Sequence, residues 1–227
     1  MRFPHSRVPG SKDEALLFER MNLQAIGMIS GKLVALRALE REDLLVMHKW
    51  QNDEEIMRLA RSFPDHVISK EALEAEFARE LKGEDSGRRA YIIEEISSHK
   101  PVGWATIRIH QFQRRMTGAD VGLALGEKTA WNKGFGTETA ELLLEEVFRQ
   151  LNLHRAEWWT YSENNASVQL AKKLGFREEA RLRDAVFFDN HYHDLVVLGL
   201  LKDEFESIRS ASEMSRDKAT VSYLQSP

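Results

Sequence analysis

The chain has no cysteine. That excludes disulfides, thiolate metal sites and a cysteine nucleophile together. No apolar run approaches the roughly 18 residues that a membrane helix needs, and the N-terminus lacks a basic-then-apolar leader pattern. A cytoplasmic protein without a membrane partner is therefore expected. A long Lys/Arg run is missing too, and 32 basic residues stand against 36 acidic ones for a net charge of -4. The electrostatic footprint of a nucleic-acid binder is thus absent, and a small or peptide-like substrate fits better.

What is present is ordinary globular material, 42% hydrophobic and 30% charged over 227 residues, enough for one well-buried domain with extensions. Residues Met1 to Gly10 read as a loose leader, and Ser11 with Glu14 reads as a capping box opening a short helix through about Asn22. Alternation predicts a strand over Lys32 to Leu39, and helical spacing takes over from Glu42 to Trp50 and again around Asp53 to Leu59. Ser69 is an N-cap candidate for a helix over Glu71 to Leu81 that buries Leu73, Phe77 and Leu81. Strands follow at Arg89 to Glu95, Val102 to Gln111 and Asp120 to Leu125. A helix over Glu138 to Gln150, a strand over Arg155 to Tyr161 and a helix over Asn165 to Leu174, stopped by Gly175, come next. Strands at Val186 to Phe188 and Leu195 to Leu201 close the pattern. The expected organisation is an N-terminal extension over 1–30, one domain over 31–205 and a C-terminal tail over 206–227.

The informative segment joins the strand ending Leu123-Ala124-Leu125 to the helix after it: Trp131-Asn132-Lys133-Gly134-Phe135-Gly136-Thr137. Glycines let the backbone approach an anion closely, and the unpaired N–H groups of a helix start point at it. A dinucleotide-binding turn asks for a third glycine near position 139, where Thr139 stands, although Glu157 lies at the spacing of its ribose-binding acid. A P-loop run is absent. Taken alone, two glycines make a tight corner as readily as a phosphate site.

The neighbours add a resemblance. Trp131 to Glu138 resembles the acetyl-CoA motif of the GNAT superfamily of N-acetyltransferases, Gln/Arg-x-x-Gly-x-Gly/Ala, in the form carried by the ribosomal-protein N-terminal acetyltransferases. Asn164-Asn165-Ala166-Ser167 and Leu174-Gly175-Phe176 are similar to that branch's Asn-x-x-Ser and Leu-Gly-Phe elements. Leu36 to Leu44 and Asp194 to Leu198 resemble its first strand-helix boundary and its last strand, and Leu36 to Leu44 is similar to spermidine N-acetyltransferases as well. Trp131 departs from the motif's Gln/Arg. It reads either as a mark of the subfamily or as a core anchor for the turn. The resemblance covers about Lys32 to Glu204.

It implies an α+β GNAT fold, with a central mixed, mostly antiparallel sheet of about six to seven strands flanked by helices. It also implies direct acetyl transfer in a ternary complex, acetyl-CoA as co-substrate, no metal, and a homodimer as a common assembly. Asn132, Lys133, Gly134, Phe135, Gly136 and Thr137 would bind the pyrophosphate. Leu123 and Leu125 would hold pantetheine through their main chain, and Asn164 and Ser167 would lie near its arm or sulfur, unless Asn164 is simply a helix cap. Relatives often carry a tyrosine acid where this chain has Ala171, which leaves Ser167 or solvent in that role.

The base suggested by the resemblance is Asp120, with His110, His191 and His193 as alternatives. A weak base suits an α-amine: at pH 7 a group of pKa near 7.8 needs only about 1 kcal/mol to deprotonate, against roughly 4.6 kcal/mol for one near 10.4. The acceptor is accordingly read as a primary amine, with a peptide or protein N-terminus preferred. Polyamines and aminoglycosides are the alternatives, and an inactive CoA-binding regulatory module is the alternative of another class.

Overall fold

The computed structural model describes residues 28–58, 60, 67–84, 87–110 and 118–211. The expected leader and the helix from Ser11 to Asn22 lie outside them. Eight strands form one sheet: β1 (Ile29–Ser30), β2 (Val34–Ala38), β3 (Arg88–Glu95), β4 (Lys100–Ile109), β5 (Gly118–Leu125), β6 (Arg155–Tyr161), β7 (Arg177–Phe188) and β8 (His191–Leu201). Their order across the sheet is β1-β2-β3-β4-β5-β6-β8-β7. Every pairing is antiparallel except β5 with β6. The architecture is the expected mixed, mostly antiparallel α+β sheet, with one strand more than the upper count of seven.

Strand alternation sorts side chains onto two helical layers. One face of the sheet supplies Leu36, Ile93, Ala105, Ile107, Ala119, Val121, Ala156, Trp158 and Leu198 to the larger core. Helix α4 (Phe135–Glu145), its continuation through a wide turn at Glu146–Gln150, and α5 (Asn165–Lys173) close that core with Leu143, Leu144, Phe148 and Ala171. The other face carries Ile92 and Trp104 into a smaller cluster with Met47 and Trp50 of α1 (Leu44–Gln51), Ile56 of α2 (Glu54–Met57) and Leu73 of α3 (Lys70–Leu81). Ser69 caps α3 as expected, its Oγ accepting from the Ala72 N–H at 3.1 Å. Leu81 departs from the expectation: it ends the helix exposed rather than buried.

Three differences have physical causes. Strand β1 is two residues long, too short for any alternation to be read. β7 is an edge strand lying almost wholly in solvent, so Arg177 to Asp184 reads as a polar segment even though it pairs with β8, with breaks in register after Glu178 and after Leu182. Residues 202–211 form a sixth helix, α6, whose Phe205 is buried and stacks on Phe148 with centroids 4.8 Å apart. Ordered structure therefore runs past the expected boundary at 205.

The entry to α1 is held by charge. Arg37 on β2 donates to both carboxylate oxygens of Asp43, at 2.7 and 2.9 Å, and to Glu94 on β3 at 2.6 Å. Burial opposes ionisation of Asp43, but the hydrogen bonds from Arg37 and the Glu40 N–H, together with the guanidinium charge, hold it below the ordinary carboxylate range. A depressed carboxylate stabilises the fold fully above its unfolded value, near 4, and loses that contribution as the pH falls through its folded value. Replacing Arg37 with Met should lower stability at pH 7 by about 3 kcal/mol, with the deficit shrinking as the medium is acidified below about pH 4. Urea unfolding across pH measures both; a deficit independent of pH would contradict the assignment.

Candidate active site

Among the described residues, the one parallel pairing in the sheet is also the shortest near its centre. β5 and β6 are in register at Gly118 with Arg155, Ala119 with Ala156 and Asp120 with Glu157, and there it ends. β5 nevertheless continues to Leu125 and β6 to Tyr161. Beyond Asp120 the two strands no longer pair, which leaves room for a wedge between them. From Val121 to Leu125 the wall of this wedge is about 13 Å long at roughly 3.3 Å per residue, and it leads to the glycine turn.

That turn is built by three anchors. Trp50, fully buried, lies so close over Gly126 that a Cβ there would fall inside its ring, and its Nε1 donates to Glu127 Oε1 at 2.9 Å. Trp131 Nε1 donates to the Leu125 carbonyl at 3.0 Å, so the indole pins the turn to the end of β5, the anchoring role open in the sequence. Glu138, one turn into α4, accepts the N–H groups of Lys32, Leu33 and Val34 at 2.8, 2.6 and 2.8 Å and ties the helix to the β1–β2 hairpin. Sequence reading gave Glu138 no role, because its partners lie about a hundred residues away.

The two glycines do different things. Gly134 is the N-cap of α4 with φ of 86°, a left-handed conformation that a side chain strains. Gly136 has ordinary backbone, and a Cβ there would meet nothing nearer than Leu123 Cδ1 at 3.8 Å. No side chain caps α4, so the N–H groups of Phe135, Gly136 and Thr137 face outward as a helix start leaves them. The Asn132 and Lys133 side chains are exposed, and Phe135 is buried in the core, leaving only its main chain to face a ligand.

At the apex of the wedge three titratable side chains meet. His110 Nε2 lies 2.8 Å from Asp120 Oδ1 and 3.8 Å from Glu157 Oε2. Glu157 also accepts from Arg155 Nε at 2.9 Å and from Trp159 Nε1 at 3.1 Å. Burial resists its ionisation, yet these two donors and the neighbouring His110 hold it below the usual carboxylate range. The three groups have metal-ligand types within 4.8 Å of one another, but the guanidinium against Glu157 opposes a cation there. The i, i+2 spacing of the other histidines brings together rings that already have neighbours. His191 Nδ1 meets the Asp189 carbonyl at 2.8 Å, and buried His193 stacks on Phe188 with Nδ1 3.0 Å from Glu163. Neither is brought to the cluster around Asp120.

Asn164 is a helix cap, its Oδ1 accepting the Ser167 N–H at 3.1 Å. Ser167 Oγ in turn accepts the Trp158 indole N–H at 2.8 Å. Ala171 is fully buried in the core. A methyl group there has no proton to give.

Comparison with known proteins identifies the arrangement. The family model described as an acetyltransferase (GNAT) domain matches residues 34–177. The chain belongs to the GNAT acetyltransferase family. It is 30% identical to the SPbeta prophage-derived uncharacterized N-acetyltransferase YokL of Bacillus subtilis over 80% of this chain and 97% of that one. It is 25% identical to the spermidine N(1)-acetyltransferase of Escherichia coli K12 over 78% of this chain and 91% of that one. Among solved structures, the spermidine N-acetyltransferase of Vibrio cholerae in complex with CoA and spermine superimposes with a TM-score of 0.69 at 24% identity, covering 77% of this chain and 99% of that one.

In this GNAT chain the turn's first glycine serves conformation and its second leaves space. Gly134→Ala should cost roughly 1–2 kcal/mol through its left-handed backbone, whereas Gly136→Ala should leave stability unchanged or raise it slightly. Thermal unfolding of the two variants checks this. Equal losses would contradict the division.

Proposed function

We propose that this acyl-CoA-dependent N-acetyltransferase takes a primary amine as its acceptor, with the α-amine of a peptide or protein N-terminus as the favoured class, and that it acts in the cytoplasm. In this reading the N–H groups from Lys133 to Thr137 hold the pyrophosphate, and the pantetheine arm runs back along Val121 to Leu125 with its acyl end at the apex. The observation that carries it is the end of β5–β6 pairing at Asp120. Asp120 thereby stands at the inner end of a wedge whose outer end is an uncapped helix start.

Asp120 takes the proton that the attacking ammonium must shed, directly or through one water. The freed nitrogen lone pair adds to the thioester carbonyl carbon, main-chain N–H groups of β5 stabilise the oxygen, and the C–S bond breaks. CoA leaves as thiolate and is neutralised by the second proton from the new amide nitrogen, with the Ser167 hydroxyl proposed to help. Thiolate departure needs little acid, in keeping with Ala171 in place of a tyrosine.

Charge favours a monocation over a polyamine. Around the apex, Glu157 and Glu179 are both engaged by the Arg155 guanidinium, at 2.9 and 2.8 Å, which leaves Asp120 as the carboxylate that faces the wedge. A polyamine would ask for several.

An amine panel with free-thiol detection tests this: peptides with free N-termini should turn over with higher kcat/KM than spermidine or an aminoglycoside. Preference for spermidine would move the acceptor to the polyamine class. CoA binding with no thiol release from any amine would leave only a binding module. In parallel, Gly136→Asp should abolish acetyl-CoA binding by calorimetry while the fold is kept. Unchanged affinity would remove the turn from the site.

A further inference from the structure

The Asp120 carboxylate does not stand alone, and what surrounds it differs on its two sides. Asp120 is the more open of the pair, with 37% of its side chain exposed against 18% for His110. His110 closes the β4–β5 ladder opposite Gly118, its N–H donating to the Gly118 carbonyl at 3.0 Å. It therefore lies on the paired side of Asp120, away from the wedge. The His110 ring packs beside Gly118, with Nδ1 3.5 Å from where a Cβ would be. The other ring nitrogen faces acceptors only: Asp120 Oδ1 at 2.8 Å and Glu157 Oε2 at 3.8 Å. Nε2 is thus the protonated, donating nitrogen, whatever the state of Nδ1.

We propose that His110 is a positioning residue for acetyl transfer: its Nε2–H holds Asp120 Oδ1, so that Asp120 Oδ2 is turned to the wedge as the proton acceptor. This rests on the reading of Asp120 as the base. Glu157 serves the arrangement without touching the substrate. Held by Arg155, which is itself paired with Glu179 on β7, and by Trp159, it stays ionised beside Nε2 and keeps the imidazole facing Asp120. The charged and titratable groups facing His110 are Asp120 from β5 and Glu157 and Arg155 from β6, with Arg108 on its own strand. Without that donor the Asp120 carboxylate is free to rotate away from the wedge, so losing it should lower kcat while leaving substrate binding nearly unchanged.

Three variants of the full chain, assayed for kcat and KM across pH with the best amine of the panel, decide this. His110→Phe keeps the ring's bulk over Gly118 but has no donor. It should lower kcat about tenfold or more and leave KM within about twofold. His110→Gln restores an N–H donor with similar reach and should recover kcat to within about threefold of the parent. Asp120→Asn should abolish the acid limb of the pH profile. If His110→Phe matches the parent, or if His110→Gln and His110→Phe fail alike, the positioning role is overturned while Asp120 stands. If Asp120→Asn leaves the profile unchanged, the base assignment falls first and the role of His110 with it. Circular dichroism of each variant separates loss of fold from loss of rate.

Discussion

Three register pairs between β5 and β6, and no more, are the constraint on which the rest of this molecule depends. A parallel pair carried to the ends of both strands would satisfy their main-chain groups with each other and leave no slot. Because pairing stops at Asp120 and Glu157, a stretch of strand wall from Val121 onward is free to bind an extended arm as another strand would. The large core beneath, with Ala119, Val121, Ala156 and Trp158 buried on one face, keeps the sheet intact despite the gap.

The anchors around the wedge serve geometry rather than chemistry. Trp50 on Gly126, Trp131 on the Leu125 carbonyl and Glu138 on the β1–β2 hairpin fix where the first turn of α4 sits relative to β5. A helix start whose N–H groups lack side-chain caps is a weak anion site if it moves. Held at both ends, it becomes a preorganised one. The same division of labour recurs at the apex, where Arg155 and Trp159 secure Glu157 and leave Asp120 as the more exposed acid.

Much of this was legible in the sequence because it is local. Ser69 before an amphipathic run, the strand from Arg155 to Tyr161 and the glycine turn each carry their information within a few residues. The family followed from four such elements in order. What could not be read depends on register. His110, Asp120 and Glu157 come from three strands, and only the antiparallel match of β4 with β5 and the parallel match of β5 with β6 bring them together. Glu138 meets Lys32, Leu33 and Val34 from about a hundred residues away, which no local pattern shows. Edge strand β7 was masked by its own exposure, since a strand with solvent on both faces shows no alternation. Asn164 turned out to be a cap, one of the two readings its position at a helix start allowed.

The most direct measurement is a crystal structure of the protein with CoA bound. The pyrophosphate should lie on the N–H groups at the start of α4, the pantetheine should hydrogen-bond to the main chain between Val121 and Leu125, and the sulfur should sit at the apex beside Asp120. A sulfur found away from that apex, or a pantetheine arm that avoids the gap between β5 and β6, would contradict the proposed site.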